Sequence, residues 1–309
     1  MNNPAIERRG KNIVKKAREI AWKWFRLILL IGLAFVMLYP LLYMASVALQ
    51  EKKDMFDSTV YWIPKHFTME NISRVFDAVQ YPRAILFTVV LSGVCAFLSA
   101  CVCALAAYGL SRFKFKGQGI LMGLVLMMIV IPVAFYRMPL YMIMSKFHLL
   151  NSPMSFVLPA LLGAGIRSGL YIYLFRQFFK GMPKELEEAA YIDGCGYVKT
   201  FTNIMLPSAV PIFVTAFLFA FVWYWNDYQL SQLFIQEFHG VRTLSSSLAN
   251  IGTIMYSAFP DVPTGQFDDI QYTLDKQAAS LLVIGPLLMF YLVCQRFFVD
   301  NIARTGIVE

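Results

Sequence analysis

The stretch EEAAYIDGCGYVKTFTNIMLP (Glu187–Pro207) is the most polar and helix-ready segment in the central part of a chain otherwise built of apolar runs. Just upstream, GMPKELEEAAYIDG (Gly181–Gly194) places Pro183 where the first helical position tolerates a missing N–H. Glu185, Glu187 and Glu188 fall in the first turns, where the helix dipole favours negative charge. Gly194 predicts a left-handed cap that ends this helix. A second helix is predicted from about Tyr197 to Pro207, so the segment reads as a bent helix pair. Ala189 and Ala190 are adjacent and nearly devoid of side chain, which lets another surface come close. A capped amphipathic helix without a partner is the alternative reading.

The surroundings of this segment set the class of protein. Of 309 residues, 58% are hydrophobic and 15% charged, whereas a soluble domain is nearer half apolar and a quarter charged. Six apolar stretches are long enough to cross about 30 Å of hydrocarbon as helices: about Phe25–Leu49, Ala84–Leu110, Gly119–Met144, Pro153–Phe179, Pro207–Ile235 and Gln277–Phe298. Several exceed the length required, which predicts tilt or interfacial extension. The first stretch has a basic flank, and SVA (Ser46–Ala48) resembles a cleavage site. Its apolar run is far longer than that of a signal peptide, so it reads as a retained span. The fold class expected is an all-α integral membrane protein.

Lysine and arginine set the orientation. The N-terminal segment carries Arg8, Arg9, Lys11, Lys15, Lys16, Arg18, Lys23 and Arg26. The second hydrophilic connection carries Arg112, Lys114 and Lys116; that of the polar segment carries Arg176, Lys180, Lys184 and Lys199; the tail carries Arg296 and Arg304. These are 17 of the chain's 27 lysines and arginines, and they fall on alternate connections of a chain whose net charge is +8. The positive-inside rule places that face, and both termini, in the cytoplasm. The charge thus reads as topology and not as a nucleic-acid footprint. The expected layout is a basic N-terminal segment (1–24), a first span (25–49), an extracytoplasmic loop (50–83), a five-span core (84–299) holding the polar loop at about 181–207, and a cytoplasmic tail (300–309). The loop between Gln236 and Lys276 is acidic, with Glu237, Asp261, Asp268, Asp269 and Asp275, and its FPDVPTG centre is rich in turn formers. It reads either as a docking element or as a solvated connection.

No residue pattern supports catalysis. Cys95, Cys101 and Cys103 share one apolar run, Cys294 lies in another and Cys195 in the polar segment, which does not form a secreted disulfide framework. His66, His148 and His239 stand far apart, without metal-ligand neighbours at helical spacing. No phosphate-binding G-x-x-x-x-G-K-[ST] loop occurs; GKN at Gly10 and KGQG at Lys116 lack the pattern. The expectation is no catalytic residue, no metal site and no cofactor held by this chain.

Charges within the apolar runs are candidates for a solute path, because a charge in hydrocarbon must face protein or water. Arg137 follows Pro132 towards the outer end of the third span, Arg167 lies near the middle of the fourth, and Asp227 lies in the outer third of the fifth. Arg137 and Asp227 sit at similar depth, roughly 10–12 Å at helical rise, which predicts a salt bridge able to serve as an outer gate. Arg167 has no acidic residue at matching depth. Tyr224 and Asn226, flanking Trp225, are placed to stack on or hydrogen-bond a sugar, with aromatic core packing as the alternative role.

Spacing in the polar segment resembles a known signature. Glu188-Ala189-Ala190, three residues, Gly194, nine residues, Ile204, one residue, Leu206-Pro207 is similar, position for position, to the EAA loop of ABC-importer permeases. Asp193 and Pro211 also look like that family. YWIPKHFTMENISRVF (Tyr61–Phe76), YLFRQFFKGMPKELEEAA (Tyr173–Ala190), WNDY (Trp225–Tyr228), Ala278-Ala279 and CQRFFV (Cys294–Val299) resemble the maltose-type, second-subunit carbohydrate permeases. The resemblance covers nearly the whole chain. The tail NIARTGIVE departs from the usual glycine- and lysine-rich ending, and the last outer loop is longer than usual.

The resemblance implies six transmembrane helices in a type I ABC importer permease fold, sited in a bacterial cytoplasmic membrane. It implies that Glu188, Ala189, Ala190, Asp193, Gly194, Ile204, Leu206 and Pro207 couple the chain to a separate ATPase, which uses the ATP and Mg. The implied partners are a second permease subunit in a heterodimer, ATPase subunits and an extracytoplasmic solute-binding protein, with a carbohydrate as solute. Import of another solute such as glycerol phosphate by the same machine stays open, as does a standalone secondary transporter, which would favour internal repeats.

Overall fold

The computed structural model describes residues 4–60, 62–259 and 269–305. Tyr61, the centre of the last outer loop (260–268, with Asp261 and Asp268) and residues 306–309 of the tail lie outside the described residues. So do the side chains of Arg8, Arg9, Lys11, Arg296 and Arg304. Among the described residues the secondary structure is helical, with two isolated bridges (Gln50 to Phe67 and Phe238 to Val241). The chain forms two compact units, residues 1–72 with 268–281 and residues 73–267 with 282–309.

In the first unit, helix α1 (Pro4–Ala48) carries a long apolar stretch, Arg18–Ala48. Ile28, Val36 and Met37 are each about two-thirds exposed or more, and burial begins only at its end, with Met44, Val47 and Ala48. A soluble helix does not present such a surface to water. The following loop is knitted by polar contacts. The His66 amide and ring Nδ1 contact the two oxygens of Asp54 at 2.8 and 2.7 Å. Buried Asn71 donates to the carbonyls of Ala48 and Gln50 at 3.1 and 2.8 Å, and accepts from Gln271 at 3.2 Å. Trp62 packs edge-on to Tyr39, 4.6 Å between centroids, and the Ser46 hydroxyl donates to its carbonyl. His66, without a metal-ligand neighbour in the sequence, thus holds a specific carboxylate.

In the second unit, α2 (Glu70–Ala78), which begins in the first unit, leads into α3 (Tyr81–Arg112). Helix α3 packs against α6 (Met154–Leu161), α7 (Ser168–Gly181) and α11 (Val210–Asn226). Its inward face is made of small residues (Ala84, Cys95, Ala96, Ser99, Ala100, Cys103, Ala104, Ala107), all fully buried. Small residues let backbones approach closely where lipid supplies no hydrophobic drive between helices. Its outward face is large and apolar: Leu86, Val90, Phe97 and Leu105 are each more than half exposed. Small inside and greasy outside is the pattern of a helix solvated by lipid. Aromatic pairs fill the interior, such as Phe221 against Phe290 at 4.5 Å, and the Trp225 indole donates to the Val283 carbonyl at 3.2 Å.

The expected spans are not all continuous. Among the described residues, Arg18–Ala48, Tyr81–Arg112 and Asp269–Gln295, the last within α15 (Asp269–Thr305), are long and apolar enough to cross a membrane. Two bent pairs raise the number to as many as five. One is α4 (Gln118–Val130) with α5 (Val133–Lys146), bent by 105°. Pro132 lies at that bend and forces the preceding residue out of helical geometry. The other is Tyr197–Ser208 with α11, bent by 77°. The expected fourth span, Pro153–Phe179, is two separate helices, α6 and α7, split by Leu162–Arg167. Gly163 and Arg167 both take positive φ there, 70° and 59°.

Two further differences concern loops. Helix α8 (Glu185–Ile192) begins two residues after Pro183 and not at it. The connection after α12 (Gln229–Phe234) is no plain solvated loop: it folds α13 (Leu244–Ala249) and α14 (Ile251–Ala258). Thr243 caps α13 by accepting from the Ser246 amide at 3.3 Å, and the Leu244 amide donates to Thr88 at 2.9 Å. Ser245, Ser246 and Ser247 are buried as a result.

Candidate functional site: a capped elbow and a broken helix

The polar segment folds as a helix, a cap and a second helical run. Gly194 takes φ 81°, and its amide donates to the Tyr191 carbonyl at 3.1 Å. The Cys195 amide reaches the Ala190 carbonyl at 2.9 Å, completing the paired 6→1 and 5→2 bonds of a Schellman cap. No atom lies within 4 Å of where a Cβ on Gly194 would stand, so backbone conformation alone requires glycine here. The second run is α9 (Tyr197–Thr200), a π-helical turn (Phe201–Met205) and α10 (Leu206–Ser208). It ends where Pro207 and Pro211 flank the bend into α11.

Helical period divides α8 into two faces. Glu188, Ala189, Ile192 and Asp193 are exposed, and so are Tyr197 and Val198 beyond the cap. Ile192 is 86% exposed and Val198 76%, so the tip of the elbow presents bare apolar side chains to its surroundings. Ala190, by contrast, is buried, as is Glu187. Of the two alanines, only Ala189 faces outward; the smallness of Ala190 serves packing within the chain. Ile204 and Leu206 are half-buried and Pro207 exposed.

Glu187 is the carboxylate that sequence reasoning passed over as one of three in the first turns of the helix. It forms an ion pair with Arg112, the last residue of α3, at 3.4 Å, and both side chains are less than a tenth exposed. Arg112 also donates to the Met182 carbonyl at 2.9 Å, and Arg176 donates to the Leu110 carbonyl at 3.2 Å. The ion pair seats α8 against the end of α3, and the two carbonyl bonds tie the ends of α3 and α7 together. Spacing held a clue: Glu187 and Ala190 share a face, one turn apart. Which face turns inward depends on Arg112, far away in sequence.

The candidate path residues gather around the break between α6 and α7. The buried Tyr224 hydroxyl accepts from the Ile166 amide at 3.2 Å and pairs with the Ser99 hydroxyl at 3.2 Å. It thereby ties the break to both α3 and α11. Gly165 lies so close that a Cβ there would collide with the Tyr224 hydroxyl and stand 3.0 Å from the Ala160 Cα. Tyr224 is thus an interior clasp, and Trp225 is likewise core. Arg167, at the N-cap of α7, lays its guanidinium over the ring of Trp223, 4.3 Å from the centroid. Asn226 is exposed and donates to the Val222 carbonyl at 3.0 Å.

Arg137 and Asp227 do not meet. Among the described residues no ion pair joins them. Asp227 caps α12, accepting from the Ser231 amide at 3.0 Å. Arg137 instead lines a cavity of about 480 Å³ with Tyr228, Gln229, Gln232, Arg242 and Ser246. Depth counted along ideal helices failed because the bend at Pro132 and the end of α11 at Asn226 re-aim both side chains.

Residues 96–299 match the family model described as "Binding-protein-dependent transport system inner membrane component". The chain is 30% identical to the probable ABC transporter permease protein YurM of Bacillus subtilis, over 87% of this chain and 83% of that one. It is 28% identical to the arabinooligosaccharides transport system permease protein AraQ of Halalkalibacterium halodurans, over 95% and 99%. Among solved structures, a bacterial ABC transporter involved in the import of the acidic polysaccharide alginate has a chain that superposes with a TM-score of 0.66. That match is 20% identical and covers 91% of this chain and 97% of the other.

Proposed function

Because the chain belongs to the family of binding-protein-dependent transport system inner membrane components, we propose that it forms half of the translocation pathway of a carbohydrate ABC importer, driven through the Glu187–Pro207 elbow. The permease assignment follows from the family. The carbohydrate is supported by relatives named for arabinooligosaccharides, for melibiose, raffinose and stachyose, and for trehalose and maltose. The mechanism is supported by one observation above the others: a Schellman-capped elbow with bare apolar residues at its tip. In this reading six spans place both termini in the cytoplasm, with the fourth crossing made by α6 and α7 together. The elbow then seats in a cleft of a separate ATPase subunit.

Glu188 supplies charge at that joint, Ala189 close approach, and Asp193 with Gly194 the turn. Ile204, Leu206 and Pro207 carry the displacement into α11. Nucleotide-driven closure of the ATPase pair moves this lever and switches the pathway from outward to inward access. A second permease subunit supplies the other half, and an extracytoplasmic binding protein delivers the solute. The ATP and Mg belong to the ATPase. Arg137 and Arg167, both half-buried, are the residues of this chain placed to meet the solute.

The test is a Gly194→Val substitution in the reconstituted importer. A β-branched residue at φ 81° is strained by about 1–2 kcal/mol, which lowers the ratio of seated to unseated elbow about 5–30-fold. Solute uptake is expected to fall, by up to about that factor, while the permease pair still assembles. Uptake at the wild-type rate would overturn the mechanism.

A further inference from the structure

A second cavity, about 510 Å³, opens where α3 and α7 end and α8 begins. Five cations line it: Arg112, Lys114, Arg176, Lys180 and Lys184. The two carboxylates on its wall leave an excess of three positive charges. Glu187 is committed to Arg112 within the protein, and Glu188 stands exposed on α8. Among the described residues, Lys114, Lys180 and Lys184 have no carboxylate within ion-pair distance. Arg112 and Arg176 are fixed by bonds to backbone carbonyls, and with Arg112 already paired to Glu187 the free positive charge comes from Arg176 and the three lysines.

The cavity also sits beside apolar surface. Gln118 lines it and donates to the Leu110 carbonyl at 2.7 Å, holding the start of α4 at its edge. From there α4 runs away with Ile120, Leu121 and Leu124 exposed, and Phe115 is exposed just before it. Charge for an anion and bare hydrocarbon for chains therefore adjoin, at the end of α3, an apolar helix of membrane-spanning length. Free phosphate has no use for the second feature.

We infer that this cavity binds the phosphate headgroup of an anionic phospholipid, whose acyl chains lie along the exposed face of α4. Basic pockets between transmembrane helices suit such headgroups, and each lysine near the surface contributes a modest, salt-sensitive attraction. The cavity borders Lys184 and Tyr191 on the inner side of the elbow, so the lipid's occupancy stiffens the seat of α8.

Native mass spectrometry of the purified full-length chain, alone and in its transport complex, tests the site with phosphatidylglycerol and phosphatidylcholine as probes. Phosphatidylglycerol is expected to be retained and phosphatidylcholine lost. Removing Lys114, Lys180 and Lys184 by glutamine should weaken retention by about fivefold per lysine, whereas arginine at the same positions should preserve it. Equal retention of both lipids, or retention indifferent to the glutamine variant, would overturn the inference. Displacement of the lipid by millimolar inorganic phosphate would reassign the site to a free anion. Loss of the ATPase from the glutamine variant with lipid retention unchanged would reassign it to an acidic protein surface.

Discussion

The elbow and the helix break both interrupt apolar helices with glycine and charge, but they are held in opposite ways. At the elbow, Gly194 faces open space and its conformation is fixed by two local backbone bonds. At the break, Gly165 is hemmed in by Tyr224 and Ala160, and the turn is pinned by a side chain from a distant helix. The elbow is a self-contained turn whose outer surface is free to meet another protein. The break is a tertiary object that cannot exist without α3 and α11 around it. A lever needs the first kind of construction, because it must move as one piece; a wall of a pathway needs the second.

The largest expected effect comes from detaching the elbow from its seat. Arg112→Met leaves Glu187 charged and buried without its partner, which should cost about 3–5 kcal/mol. Replacing both residues by Met and Leu should recover most of that loss, since a well-packed apolar pair substitutes for a buried ion pair. Thermal unfolding in detergent reads both. A small loss from the single substitution, with no recovery in the double, would show that α8 is held by its cap alone and that the buried ion pair does not seat it.

The break should answer differently. Gly165→Ala is expected to overpack the turn at about 1–3 kcal/mol. Tyr224→Phe strips the partner from the Ile166 amide, at about 1–3 kcal/mol. If the hydroxyl is what the new methyl strikes, alanine at Gly165 will be milder in the Tyr224→Phe background, with a coupling of about 0.5–3 kcal/mol between contacting sites. Strict additivity would mean that the break is not clasped by Tyr224.

This contrast also explains what could be read from residues alone. Gly194, Pro207 and the spacing between them announce their geometry locally, because a positive φ and a missing N–H are properties of single positions. The lipid-facing helices were legible from composition for the same reason: solvent acts on each residue separately. The split of the fourth span had a local signal too, in LLGAGIRSG (Leu161–Gly169). Counting apolar length concealed it, because a glycine costs hydropathy little while it frees the backbone. The burial of Glu187 instead of Glu188, and the failure of Arg137 to meet Asp227, had no local signal. Each depends on where a distant helix ends or bends.

Arg167 carries both a strained backbone and a cation–π contact, so its substitutions separate the two. Arg167→Ala loses the contact with Trp223, about 0.5–1 kcal/mol at a partly exposed site, and keeps an L-residue at φ 59°. Arg167→Gly loses the same contact but relieves strain, and should be the more stable of the two by about 1 kcal/mol. Uptake measurements then decide function. If both variants transport at the wild-type rate with the wild-type range of solutes, Arg167 is a cap and no part of the path.

The smallest effect is expected far from either interruption, at the Asp54–His66 contact of the first unit. Hydrogen bonds from His66 hold the Asp54 carboxyl below its ordinary value of 3.8. A carboxyl depressed in the folded state stabilises that state above its unfolded pKa, and this contribution disappears as pH falls through the folded value. The loop should therefore keep its full stability from neutral pH down to about pH 4 and lose it below that. Asp54→Asn should remove this acid sensitivity, so that variant and wild type differ in unfolding midpoint at pH 6–7 and converge in more acidic buffer. The cap at Gly194 has no titrating partner and should stay indifferent over the same range. If the two proteins held a constant difference at every pH, the Asp54 carboxylate would matter for its shape and not its charge.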